Sequence, residues 1–351
     1  MKRFHCFFHG SSRYLCAGLL ILLTGLFACG HRKNSPDVSG IPVDVHIERF
    51  DTAFFTLDST NILPGLSRLE REYPWFINDF LANILEAGPL NDTNKGAPIV
   101  ARQFLVSYLP VRDSIEKRFV RLNWLEKELK TGLQHVKYYF PDYPLPRRFV
   151  AYIGPFDAPG VAITQEGLAI GLQLYAGRHF SFYNTSQGQD MYPLYISRRF
   201  EPAYIKVTCM DAIAEDLFPD KSAGRPLVEQ MIEKGKYWWL EDRFLPDVPD
   251  SLKTGFTQKQ LDWCQANEEA IWGSFLQNTD LFTVDPDLIK NYIGEAPNTQ
   301  GMPDSSPGNI GQWVGWQIVK KYMEKNPGIS VEQLMKTPAP KIFEDAKYKP
   351  K

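Results

Sequence analysis

Apolar residues follow several patterns along this chain, and each predicts a different element. Residues 15–28 (LCAGLLILLTGLFA) form an almost unbroken apolar run behind Lys2, Arg3 and Arg13, with no acidic residue before it. The run is shorter than the about 20 residues a membrane-spanning helix needs. A basic head followed by a short apolar core is the layout of a secretory signal. Residues 43–50 (VDVHIERF) alternate apolar and polar positions and predict an entering strand. Residues 63–87 change to helical spacing, with Tyr73, Phe76, Phe80 and Ile84 on one stripe. Pro74 lies where it would open the second half of that helix or break it.

Helical patterning holds from residue 98 to 139, divided by Pro110 into 99–109 and a longer amphipathic piece, 114–138. Phe119, Leu122, Leu125, Leu129 and Leu133 make its apolar stripe, which predicts core. The middle of the chain differs. Residues 148–153, 161–164 and 168–172 are short strand-like runs separated by Gly154-Pro155 and Glu166-Gly167, and they predict a small antiparallel sheet. A long polar and aromatic loop follows, Gly177 to Tyr195. Helices are predicted again at 201–217, 226–240, 257–277 and 286–293, then a Pro/Gly-rich loop from Glu295 to Asn309, then helices at 310–324 and 330–335 before a charged tail. No internal repeat is present. The pattern as a whole predicts a helix-rich α+β domain with a small sheet.

The segment Leu26-Phe27-Ala28-Cys29-Gly30 resembles the bacterial lipobox, in which a small residue precedes the cysteine whose thiol is acylated. Phe27 is bulkier than the residue usual at its place. The resemblance implies a signal peptide at 1–28, a lipidated Cys29 with a polar spacer over 29–40, and a globular domain at 41–351. Two or more acyl chains would hold the protein at a membrane. The basic stretch His31-Arg32-Lys33 points to the periplasmic face, because surface-exported lipoproteins resemble one another in carrying acids there.

Removing residues 1–28 takes away three basic residues and lowers the net charge from −2 to −5. A mildly acidic chain argues against nucleic acid as a partner. Cys209 and Cys264 remain besides Cys29, and they read either as a disulfide in an oxidising compartment or as two buried thiols on helices.

Candidate chemistry is sparse. The remaining histidines, His31, His46, His135 and His179, are too far apart for an HxxxH or HxH pair, and no HExxH helix occurs. There is no GxSxG and no GxxxxGK[ST] motif. His179 lies in the aromatic loop, where a solvated polar role is the simpler reading. Asp211 and Glu215 stand four apart on a predicted helix, with Glu201 and Asp216 nearby. That spacing lets both face one way, for acid–base work or a divalent ion, or merely face solvent. No cofactor is called for.

The layout resembles the gliding motility-associated lipoprotein GldB family of the Bacteroidota. The resemblance runs from Ile47-Glu48-Arg49-Phe50-Asp51 through Tyr73-Pro74-Trp75-Phe76 and residues 167–177 (GLAIGLQLYAG). It ends in residues 306–319 (SPGNIGQWVGWQIV). That family is in turn distantly similar to zincin-type peptidases, in which a small sheet precedes an HExxH helix. Here Asp211-Ala212-Ile213-Ala214-Glu215 has the spacing of that motif with neither histidine, and Ala212 stands in the place of its glutamate. An alanine cannot take a proton from water, so the resemblance implies a non-catalytic, zincin-like scaffold. It also implies a membrane-tethered envelope component, with envelope proteins as partners, in gliding motility or the linked secretion machinery. The two loops, 177–195 and 295–309, are then candidate contacts. The alternative is a metal-dependent peptidase or hydrolase with a carboxylate site at Asp211 and Glu215.

Overall fold

Four short strands form one sheet in the order β1-β2-β4-β3: β1 Ile47–Arg49, β2 Arg148–Tyr152, β3 Val161–Ile163 and β4 Gly167–Gly171. The computed structural model describes residues 35–91 and 96–350. The chain divides into two compact units, Met1–Pro36 and Asp37–Lys351, and everything below concerns the second. The expected signal peptide and the expected lipidation site, Cys29, lie outside the described residues. No helix among the described residues is long and apolar enough to cross a membrane.

The sheet is mixed, which corrects the antiparallel expectation. β1 runs parallel to β2 and β2 parallel to β4, with Ile47 opposite Phe149 and Arg148 opposite Gly167; only β3 is antiparallel to β4. The reason lies in the connections. β2 and β4 can be parallel because the intervening chain crosses back and lays β3 on the outside edge. Continuous apolar runs suit strands covered on both faces, and Phe149, Val150, Leu168 and Ile170 are all fully buried.

The predicted helices form, with three informative breaks. Pro74 does interrupt the 63–87 pattern: one helix, Ile62–Glu72, ends at Tyr73, and the chain resumes at Ile77–Asp79 and a π-helical turn, Phe80–Ile84. The 114–138 stretch divides at Phe119 into Leu109–Arg118 and Asn123–Tyr139. Both Phe119 and Leu122 are buried there, and Arg49 Nη1 donates to the Phe119 carbonyl at 2.9 Å. The 257–277 stretch divides at Asn267 into Gln258–Ala266 and Glu268–Asn278. The tail is also helical, at Ala339–Ala346, with Ile342 in the core.

Two long helices, Leu227–Phe244 and Ile310–Lys325, make the central packing of the helical part. They touch backbone to backbone: a Cβ on Gly235 would lie 2.3 Å from Gly315 C, and one on Gly315 would lie 1.7 Å from Met231 O. Only glycine permits that approach. The Ile205–Leu217 helix lies against β3 and β4 on one side and against the Leu227–Phe244 and Asn123–Tyr139 helices on others. Lys236 is fully buried, and its Nζ reaches Glu233 at 2.9 Å and the Thr337 carbonyl at 2.6 Å, fastening the C-terminal helices to the centre.

Candidate functional site

Helical spacing on two neighbouring helices builds a cavity of about 400 Å³ between them. From Ile205–Leu217 come Thr208, Asp211 and Glu215, at intervals of three and four. From Leu227–Phe244 come Lys234, Tyr237, Trp238 and Glu241, spaced i, i+3, i+4, i+7 on one face. Tyr175, at the end of the 3₁₀ turn Leu172–Tyr175 after β4, closes one wall. Arg199 and the stretch Leu252–Gly255 form another. Glu295, Asn309 and Gln312 complete it from the C-terminal loop and helix.

The polar lining sorts into pairs and leftovers. Arg199 Nη1 meets Glu295 at 3.0 Å, and Lys234 meets Asp220 at 2.8 Å. Buried Lys253 binds Asp242 and also Asp250, the latter at 2.9 Å. The three cations that line the cavity are thus each matched by an acid. Asp211, Glu215 and Glu241 form no ion pair with a described residue. Asp211 Oδ1 and Glu241 Oε2 are both buried, and apart from each other's carboxyl they have no hydrogen-bond donor among the described groups.

The Asp211 and Glu241 carboxyls lie within hydrogen-bonding reach of each other. Burial pushes Asp211 up to about 6, opposed by the bond from Glu241, with the Glu215 charge adding to the rise. Burial raises Glu241 well above the ordinary range, reinforced by the charge of Asp211 and the hydrogen bond to it. Two acids this close cannot both ionise cheaply. The pair therefore holds one proton near neutrality, with the protonated Glu241 carboxyl donating to Asp211. Such a pair can exchange protons, or hold a positive charge once the proton leaves.

Both sequence candidates, Asp211 and Glu215, reach this cavity, but they do not act as a pair. Asp211 points inward to Glu241, while Glu215 is an exposed residue of the lining. Glu241 was missed because its partner sits on another helix. The available signal was the face Lys234, Tyr237, Trp238, Glu241. Glu201 is taken up by Arg118 at 2.5 Å, and Asp216 accepts from Tyr143 Oη at 2.7 Å. His179 is exposed and does not line the cavity; His46 pairs with Glu126 at 3.3 Å, and His135 is buried on its own helix. His31 lies outside the described residues. Cys209 and Cys264 are free buried thiols, which decides between the two readings of them. Burial raises both, Cys264 to about 12.

The two long loops are more ordered than their composition suggests. In 177–195 the chain makes a 3₁₀ turn, Ser181–Asn184, and a helix, Ser186–Met191. Tyr183 is fully buried, and Phe182 stacks on Phe156 at 3.7 Å, while Leu194 stays exposed. In 295–309 Thr299 and Ser306 are buried, and Thr299 Oγ1 donates to the Pro307 carbonyl at 2.7 Å.

Among known families, the model described as gliding motility protein GldB matches residues 31–350. Neither curated proteins nor solved structures gave a match.

Proposed function

Because the chain belongs to the GldB family of gliding motility proteins, we propose that it is a cell-envelope lipoprotein that works by binding and by being positioned, without catalysis. The observation that carries this reading is the span of the family match, which begins two residues beyond Cys29 and runs through nearly all the rest of the chain. Cys29 is its lipid anchor, the basic residues after it hold it on the periplasmic side, and its partners are envelope proteins of gliding or the linked secretion machinery. Exposed Leu194, at the end of the first loop, is one contact such a partner would use. The peptidase ancestry rests on the order of sheet and Ile205–Leu217 helix, with Ala212 in the place of a catalytic glutamate. A Cys29→Ser strain tests the reading. It should move the protein out of the membrane fraction and reduce motility or envelope protein secretion. Normal motility and secretion in a full deletion would overturn it.

A second reading has one observation in its favour. Protonated Glu241 and ionised Asp211 are an acid and a base side by side, the pairing that hydrolases use. Peptide or glycoside hydrolysis by the purified chain, lost in both Asp211→Asn and Glu241→Gln, would establish it over the binding role.

A further inference from the structure

We propose that the cavity between the Ile205–Leu217 and Leu227–Phe244 helices binds an organic cation of side-chain size, an ammonium or guanidinium group, seated against Asp211 and Glu241. This deepens the binding role proposed above and rests on it, but not on the membrane anchor.

Charge inventory gives the first reason. Every cation of the lining already has an acid: Arg199 has Glu295, Lys234 has Asp220, and Lys253 has Asp242 and Asp250. Asp211, Glu215 and Glu241 are left over, so the cavity has unmatched negative charge and no spare positive charge for an anion. The second reason is independent of the charges. Glu241 is 3% exposed, and apart from the proton shared between the two carboxyls neither its Oε2 nor Asp211 Oδ1, both buried, meets a donor among the described residues. Once the shared proton has left, N–H groups of a ligand would supply the hydrogen bonds that the pair then lacks. The third is shape and wall chemistry. About 400 Å³ suits one basic side chain, and Tyr175, Tyr237 and Trp238 offer ring surface of the kind that attracts organic cations. A metal ion fits less well, because among the described residues no three His, Cys, Asp or Glu side chains converge to hold one.

Binding exchanges one charge for another. In the free protein a proton lies between the two carboxyls; the incoming cation takes its place, and the proton leaves to solvent. The groups facing the pair are Glu215, Tyr237 and Asp242 on the same two helices, Tyr175 from the turn after β4, and the matched Arg199 and Lys253. Raising the pH removes the competing proton, so the cation binds more tightly, by at most about tenfold per pH unit for one released proton.

The test is calorimetric titration of the full chain in detergent with N-acetyl-arginine amide, N-acetyl-lysine amide and spermidine, up to about 10 mM. N-acetyl-glutamine amide serves as the neutral control and calcium chloride as the metal arm. The result expected is saturable binding of at least one cationic probe and none of the control. Heats measured in two buffers of different ionisation enthalpy should report proton release. Preference for the amino-acid amides would identify a side chain of a protein partner; preference for spermidine would identify a free polyamine. Asp211→Asn and Glu241→Gln should each weaken binding at least tenfold and reduce the pH dependence, with folding checked by circular dichroism. Absence of binding by all three cations overturns the proposal, as does binding unchanged in both variants or tighter binding of calcium. A failure here leaves the Cys29 result untouched, so the two readings stand or fall separately.

Discussion

Glu241 faces Asp211 across the gap between two helices, a buried acid and a half-buried one with no base between them. Their arrangement makes stability depend on pH in an uncommon direction. The Asp211 carboxyl is raised from 3.8 to about 6 in the folded chain, so the native state binds more protons than the unfolded state in that interval. Its contribution is present below about pH 4 and is lost as pH rises through 6. Denaturant unfolding should therefore show this site losing on the order of 2–3 kcal/mol between pH 4 and pH 7. The loss is read as the difference from Asp211→Asn, which lacks the titration. A variant with the same pH profile as the parent would count against the shared proton.

Glu241→Gln should be stabilising above pH 6. Its amide supplies a permanent N–H to Asp211 without the cost of a buried acid, for a gain of roughly 1 kcal/mol. A midpoint lower than that of the parent at pH 8 would mean that Glu241 is held by something other than Asp211.

Lys253→Met should destabilise. Lys253 is buried, and its loss leaves Asp242 buried without its cation, at a cost of about 3–5 kcal/mol. Burial alone would lower the Lys253 pKa, yet the Asp242 and Asp250 charges raise it, so the ion pair should persist past pH 10. Equal thermal midpoints for parent and variant would contradict this.

Gly315→Ala should cost about 3 kcal/mol or more. The added Cβ would meet Met231 O, and overpacking of about 1–3 kcal/mol or more exceeds a helix-propensity gain near 1. Gly273→Ala is the matched control. It lies in the Glu268–Asn278 helix with nothing within 4 Å of the new Cβ, and it should raise stability by up to about 1 kcal/mol.

Cys209 and Cys264 should label slowly with a thiol reagent in the folded chain and fully once it is unfolded, because burial disfavours both thiolates. A disulfide-linked fragment pair after proteolysis would contradict the free-thiol state.

Helix positions and their apolar stripes were legible because helical spacing is a local property. Leu125, Leu129 and Leu133 fall in the core as their period requires. Sheet direction was not, since the pairing of Ile47 with Phe149 and of Arg148 with Gly167 depends on how distant segments meet. The helix breaks at Phe119 and Asn267 escaped for a related reason. Arg49 donates to the Phe119 carbonyl in one case and the Asn267 side chain to the Trp263 carbonyl in the other, and a pattern of apolar residues shows neither partner.

What the sequence determined by itself was the family: the motifs through residues 306–319, and a match over 31–350. It also placed Asp211 and Glu215 on one helical face. Tertiary structure alone decided that Asp211 answers to Glu241, that Cys209 and Cys264 stay apart, and that three cations of the cavity are already paired. Spacing fixes what one helix can present. Which helix lies opposite is set by packing, here by two glycines that let Leu227–Phe244 and Ile310–Lys325 touch, and by the sheet against which Ile205–Leu217 rests.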